Sequence, residues 1–208
     1  MKAPENFNEL HTFPIVESFY SLQGEGFHTG KAAYFIRFGG CHVCCGWCDV
    51  KESWNPHVHP RLSNEQIVDE ILSHKAHAVV VTGGEPLMHN LDELCSLLHK
   101  NNIQTFLETS GTFKMTGEWD WVCLSPKQKH KPLDENFAKA NELKVIIATP
   151  EDFAWAEECA TKVQKHCILY LQPEYSVQQH ITPMIVDYCK QNPQWRISLQ
   201  VHKFIDIP

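Results

Sequence analysis

Cys41-His42-Val43-Cys44-Cys45-Gly46-Trp47-Cys48 places four cysteines in eight residues, just after the β-rich stretch 33–38. Read as Cys41-x3-Cys45-x2-Cys48, the loop offers three thiolates to one compact centre. A closed structural zinc site, or a fully ligated iron–sulfur cluster, needs four protein ligands. Three thiolates on a [4Fe–4S] cluster leave one iron open to a small molecule. A zinc knuckle stays open as an alternative, with Cys44 as a fourth thiol and His57 and His59 as nitrogen ligands. Against it, zinc sites usually pair two spaced ligand couples, and no second couple follows. Cys95, the next cysteine, sits in a helical pattern. A disulfide reading is weaker, because the nine cysteines are odd in number and adjacent Cys44 and Cys45 cannot easily both bridge. Cys44 is therefore read as a bystander thiol.

Working outward, strand-like and helix-like segments alternate. Residues 33–38, 78–81, 105–107, 121–124, 143–147, 168–171 and 196–201 read as strands. Residues 63–75 read as a helix opened by a Ser63/Gln66 capping box, with Ile67, Ile71 and Leu72 on one face. Residues 91–100, 150–164 and 177–191 read as further helices, Pro150 taking a first-turn position. This alternation predicts an α/β fold with a mostly parallel sheet and helices outside. Loops after the carboxyl ends of such strands carry the chemistry. Polar and glycine-rich clusters do follow the strands, and they are expected to converge on one rim.

The chain of 208 residues has no low-complexity linker and no composition break, so one domain over 1–208 is expected, with 1–13 as an N-terminal extension. No apolar run has the length to cross a bilayer, and the first dozen residues lack a signal pattern. A cytoplasmic protein without membrane contact is expected, its cysteines serving as thiols or metal ligands. The net charge of −7 argues against nucleic-acid binding. The basic stretch Lys127-Gln-Lys-His-Lys131 runs against that balance and suits an anionic group.

Several clusters suit ligand contact. In Thr82-Gly-Gly-Glu-Pro86, Gly83 and Gly84 let backbone approach a ligand and Glu85 adds a carboxylate. Glu108-Thr-Ser-Gly-Thr112 offers a carboxylate and hydroxyls, Ser110 among them, for a ribose or polar substrate. Ser125-Pro-Lys127 offers a hydroxyl and an ammonium. Arg37, inside a strand, must face solvent or meet an anion. In Ser21-Leu-Gln-Gly-Glu-Gly26, Gln23 could pair with the amide edge of a heterocycle.

The cysteine loop, with Trp47 before its last cysteine, resembles the cluster loop of radical S-adenosylmethionine (SAM) enzymes. Taken with Leu22-Gln-Gly-Glu-Gly26, Arg37, Thr82-Gly-Gly-Glu-Pro86, Glu108-Thr-Ser-Gly-Thr112, Ser125-Pro-Lys127 and Gln200-Val-His-Lys203, it resembles the 7-carboxy-7-deazaguanine synthase family over nearly the whole chain. The resemblance implies a shortened, partial (β/α) barrel, a homodimer, and a flavodoxin or ferredoxin electron donor. It implies a [4Fe–4S] cluster on Cys41, Cys45 and Cys48. SAM would meet Trp47, Gly83, Gly84, Glu85, Glu108, Ser110, Ser125, Lys127 and Gln172. The implied substrate, 6-carboxy-5,6,7,8-tetrahydropterin, would meet Leu22, Gln23, Gly24, Glu25, Arg37, Thr82, His202 and the terminal Pro208. The implied activity is a carbon–nitrogen lyase of queuosine biosynthesis, with no side chain assigned as general base. The family usually has Cys-Asp-Thr at the last cysteine, the threonine binding Mg²⁺; here Cys48-Asp49-Val50 leaves Asp49, water or substrate oxygens to hold the ion, or no ion at all. A glycyl-radical activating enzyme shares the cluster loop but lacks the Leu22–Gly26 and Gln200–Lys203 segments. A non-catalytic zinc-binding interaction domain is the rival from another class.

Overall fold

A computed structural model describes residues 12–208. The chain opens with β1 (Thr12–Leu22) and returns as β2 (Ala32–Phe38). A short β3 (Arg61–Ser63) leads into α1 (Asn64–Ser73). There follow β4 (Ala78–Gly83), α2 (Asp92–Lys100), β5 (Gln104–Thr109), β6 (Trp121–Leu124), α3 (Asp134–Phe137), β7 (Glu142–Ile147), α4 (Asp152–Ala160), β8 (Ile168–Pro173), α5 (Gln178–Gln191), β9 (Trp195–Ile197) and α6 (Val201–Ile205). All nine strands form one sheet in the order β3-β1-β2-β4-β5-β6-β7-β8-β9. β1 pairs antiparallel with both neighbours, and every pairing from β2 to β9 is parallel. The sheet is open, with β3 and β9 at its edges. This is the expected partial (β/α) barrel with a mostly parallel sheet.

Alternation along the strands sorts side chains onto two faces. Tyr34, Ile36 and Phe38 of β2 and Val79 and Val81 of β4 join α1 and α2 in one buried cluster. Leu143, Val145 and Ile147 of β7 and Leu171 of β8 join α4 and α5 in a second. The intervening residues Phe35, Arg37, Val80, Thr82, Glu108, Lys144, Ile146 and Gln172 face a cavity on the other side. One face of the sheet thus holds the helices, and the other is free to line a site.

Local signals explain several boundaries. The Ser63 hydroxyl accepts from the Gln66 amide while the Gln66 side chain accepts from the Ser63 amide, so the capping box forms as read. Other expectations need adjustment. The helix expected over 150–164 is confined to Asp152–Ala160. The strand expected over 196–201 ends at Ile197, because the Val201 amide turns away to donate to the Gly24 carbonyl (2.9 Å). β1 and β3 carried no sequence expectation; β1 holds its place by antiparallel pairing with β2 from Ile15 to Leu22, with a register shift between Ile15 and Glu17. Of the expected extension over 1–13, Thr12 and Phe13 begin β1, and the remainder lies outside the described residues. Among the described residues no helix is long and apolar enough to cross a membrane.

Candidate functional site

A cavity of about 460 Å³ opens where the strand ends converge. Its wall includes Cys41, Cys45 and Cys48, Trp47 and Asp49 from the loop after β2. Thr82, Gly83 and Gly84 come from the end of β4, and Glu108 and Ser110 from the end of β5. Ser125 and Lys127 follow β6, and Gln172 ends β8. From the N-terminal side come Leu22, Gln23, Gly24 and Glu25, joined by Arg37 of β2. The C-terminal segment closes the far side with His202 and Pro208. Of the residues assigned in the sequence to cluster, SAM, Mg²⁺ or substrate, only Glu85 stands behind the wall.

The cysteine loop is a tight turn. Cys44 adopts a left-handed φ of 47°, and its thiol donates to the Cys41 carbonyl at 3.2 Å. Burial raises the Cys41 and Cys45 thiols; nearby Lys127 pulls Cys45 partly back. Among the described residues, no three cysteine or histidine ligand atoms of this loop lie within 4.8 Å of one another. A single zinc ion with bonds of about 2.3 Å needs a tighter gathering. His59 Nε2 donates to the Glu52 carbonyl at 2.8 Å, which leaves Nδ1 as its lone-pair nitrogen. The loop thus brings three thiols to the cavity wall without gathering them around one small ion.

Gly83 and Gly84 serve the loop as much as any ligand. A Cβ on Gly84 would lie 2.3 Å from the Gly40 carbonyl oxygen and 2.6 Å from Cys41 Cβ. The Gly84 amide donates to Phe38 O (3.0 Å) and the Glu85 amide to Gly40 O (2.8 Å). The glycines thus dock the β4 loop under the root of the cysteine loop. Glu85, 1% exposed, accepts from the Leu87 amide (3.0 Å), the Thr109 hydroxyl (2.6 Å), the Ser110 amide (2.8 Å) and the Ser110 hydroxyl. It positions the β5 loop, with its carboxylate spent on protein donors. Lys127 folds back on Ser125, donating to its carbonyl (2.7 Å) and hydroxyl (2.8 Å), with its ammonium 5.7 Å from the Trp47 ring centre. Burial lowers the Lys127 ammonium.

Sequence reading missed Lys144, which links three walls. Its ammonium donates to Glu25 at 2.6 Å and Glu108 at 2.9 Å, and its side chain is 5% exposed. Burial by itself would raise the Glu25 carboxyl, but the Lys144 charge holds it near about 2. Burial raises Glu108 against the pull of Lys144, with Glu142 and Glu25 adding to the rise. Gln23 donates to Glu108 (3.4 Å) and Gln200 to Glu25 (2.9 Å), so the N-terminal turn, β5, β7 and the C-terminal segment share one polar network. The signal was available: a lysine inside the apolar run Leu143-Lys-Val-Ile-Ile147 poses the same question as Arg37. Arg37 itself bonds Glu17 at 2.6 Å across β1 and β2 and still faces the cavity.

At the mouth, Asp49 offers one carboxylate, and its Oδ2 lies 3.2 Å from Lys203 Nζ. The Val50 side chain has no oxygen. Its carbonyl accepts from the Ser53 amide (3.1 Å) and hydroxyl (2.6 Å). Asp49 is thus the one side-chain carboxylate offered here, and an Mg²⁺ on it would complete its octahedral shell with waters and ligand oxygens.

Fold, three-cysteine loop and glycine-docked β4 turn define the class, a radical SAM protein; the family model described as the radical SAM superfamily matches residues 35–124. The superfamily implies a [4Fe–4S] cluster and SAM. The 7-carboxy-7-deazaguanine synthase of Flavobacterium psychrophilum is 53% identical over 195 residues, covering 94% of this chain and 92% of that protein. The protein of the same name from Synechocystis is 46% identical, with 94% of both chains covered. The crystal structure of QueE from Escherichia coli superposes with a TM-score of 0.82 at 32% identity, covering 92% of this chain and 95% of that one. The chain belongs to the 7-carboxy-7-deazaguanine synthase family.

Proposed function

We propose that this protein is a radical SAM carbon–nitrogen lyase converting 6-carboxy-5,6,7,8-tetrahydropterin to 7-carboxy-7-deazaguanine and ammonia, in queuosine and 7-deazaguanine biosynthesis. The observation that carries the reading is the convergence on one cavity of the three-cysteine loop, the Leu22–Gly24 turn, Arg37 and the C-terminal His202 and Pro208. Cys41, Cys45 and Cys48 hold the cluster. Trp47, Gly83, Gly84, Glu108, Ser110, Ser125, Lys127 and Gln172 surround SAM, while Glu85 acts from behind by fixing Ser110. Leu22, Gln23, Gly24, Glu25 and Thr82 meet the pterin ring, and Arg37 binds its carboxylate. When bound, the cluster and SAM supply one-electron reductive cleavage and the hydrogen-abstracting radical that starts ring contraction.

The chain's own residues orient and enclose. A Cβ on Gly24 would lie 2.2 Å from His202 Nδ1, so glycine there lets the C-terminal segment close over the N-terminal turn. The Ser21 hydroxyl donates to the Pro208 carbonyl at 3.2 Å, fastening the chain end against β1. That closure limits water around a reactive intermediate. The protein acts as one domain and a homodimer in the cytoplasm, reduced by flavodoxin or ferredoxin.

The test is anaerobic turnover of reconstituted protein with SAM, a reductant and the carboxytetrahydropterin, followed by mass spectrometry. The reading expects 7-carboxy-7-deazaguanine and 5′-deoxyadenosine in matched amounts. Deoxyadenosine alone would assign another substrate. Neither product from protein of verified iron and sulfide content would overturn the enzyme reading.

A further inference from the structure

We propose that Glu108 is the proton carrier of the reaction: its carboxylate takes the proton that the ring CH2 group of the pterin loses and passes it to the departing nitrogen. The inference rests on the proposed function and adds a catalytic residue to it. Conversion of the tetrahydropterin to the product and ammonia turns that CH2 group into a ring CH and puts hydrogen on the leaving nitrogen. In this elimination the C–H electron pair becomes the new ring double bond, and the C–N pair leaves with nitrogen. One proton passes from carbon to Glu108 and from Glu108 to nitrogen. The carboxylate is restored, and the step consumes no oxidant or reductant.

Sheet register sets Glu108 in a row with the group that binds the substrate carboxylate. Arg37 of β2 pairs with Thr82 of β4. β4 and β5 pair Val81 with Leu107, and the same register carried one residue on aligns Thr82 with Glu108. All three line the cavity. Two strand spacings of about 4.8 Å each separate the ends of the row. A pterin with its carboxylate on Arg37 has its CH2 group one bond beyond the carbon bearing that carboxylate, in the gap between Arg37 and Glu108. The partners of Glu108 also lie on the pterin side of the cavity. They are Gln23 (3.4 Å) and Lys144 (2.9 Å), and Lys144 holds Glu25 as well.

The surroundings suit a carboxylate that rests ionised and accepts a proton in passing. Burial raises its proton affinity, Lys144 opposes the rise and keeps it charged at rest, and Glu142 and Glu25 add to the rise. Oε2 takes the short bond from Lys144 and Oε1 the looser one from Gln23, so Oε1 is the oxygen placed to take the proton. The neighbouring carboxylates have other duties. Glu25 accepts from Lys144 (2.6 Å) and Gln200 (2.9 Å). Glu142, 2% exposed, accepts from the Phe27 amide and the Trp121 indole, both at 3.0 Å. Behind Glu108 lies a second cavity of about 10 Å³, bounded by Cys123 and Glu142 among others, with room for at most one water. The back of the carboxylate is dry, so a proton on it returns to the main cavity, where the nitrogen leaves.

The experiment compares wild type, Glu108→Gln and Glu108→Ala, the last with and without added formate, each reconstituted and matched for iron, sulfide and far-ultraviolet circular dichroism. The substrate carries deuterium on the carbon bearing its carboxylate. Deuterium transfer into 5′-deoxyadenosine or SAM reports the radical step, and 7-carboxy-7-deazaguanine reports the elimination. The inference expects deuterium transfer to survive in Glu108→Gln while the product rate falls about 10²–10⁴-fold, the usual weight of a positioned acid–base group. The loss should fall on kcat far more than on KM. Formate, a small carboxylate, should restore part of the product in Glu108→Ala.

Equal loss of deuterium transfer and product in Glu108→Gln would overturn the inference and make Glu108 a group that only binds the cofactor. A Glu108→Ala protein that formate leaves unchanged would overturn it too. Product from Glu108→Gln at the rate of wild type would sink the inference alone and leave the proposed function standing. Deuterium transfer without 7-carboxy-7-deazaguanine in wild type would instead sink the proposed function, and the inference with it.

Discussion

Arg37 and Lys144 are both cations set into strands on the cavity face, yet their surroundings differ. Arg37 on β2 has one partner, Glu17, and the two side chains are 20% and 46% exposed. Lys144 on β7 has two, Glu25 and Glu108, and is 5% exposed. Solvent screens the first pair, so the guanidinium gives up little when a ligand carboxylate takes it over. The second group is desolvated, and each charge there depends on the others. One cation suits ligand exchange; the other sets the frame on which the ligand sits. Burial, more than residue type, separates the two roles.

The contrast can be broken most directly at Lys144. Lys144→Met should strand Glu25 and Glu108 without their counter-ion and destabilise the protein by about 3–5 kcal/mol in denaturant unfolding. A loss under about 1 kcal/mol would place Lys144 with the screened pairs. Adding Glu108→Gln to Lys144→Met should recover part of the loss, since one stranded charge is removed.

Acid pH sharpens the same comparison. Although burial opposes it, the Lys144 charge holds the folded Glu25 carboxyl down to about 2, against an ordinary value of 4.5. Its contribution is therefore complete above about 4.5 and is lost as pH falls toward 2. Wild type should outlast Glu25→Gln in urea at neutral pH, and the gap should close on acidification. A gap that stays constant with pH would mean that shape, not charge, holds Glu25.

The smallest effect on stability is expected at Arg37. Arg37→Ala should cost within about 1 kcal/mol in unfolding yet raise the pterin KM about tenfold or more. The reverse pattern, a large stability loss with KM unchanged, would make Arg37 a strut for β1 and leave the substrate carboxylate unassigned.

Much of the frame was legible. Capping chemistry placed α1, and apolar runs placed β2, β4, β6 and β8, because hydrophobic period and cap residues act over a few neighbouring positions. β1 was not legible. Its half-exposed pattern in Thr12–Leu22 gives no clear alternation, and its conformation comes from pairing with β2 and β3. The end of β9 was also misplaced, since a hydrogen bond to Gly24, in a distant turn, redirects the chain at Val201. In the site, Glu85 has the sequence context of a ligand group, but burial turns its carboxylate onto Thr109 and Ser110.

The sequence by itself determined the three-cysteine centre, the βα alternation and the family, because these rest on spacing along the chain. It also determined that Val50 withholds an oxygen where threonine would supply one. Tertiary structure alone decided which charges share a wall. Lys144 meets Glu25 across 119 positions and Lys203 meets Asp49 across 154. Ion pairs over such separations depend on sheet order and on the returning C-terminal arm, and a local pattern of residues does not encode them.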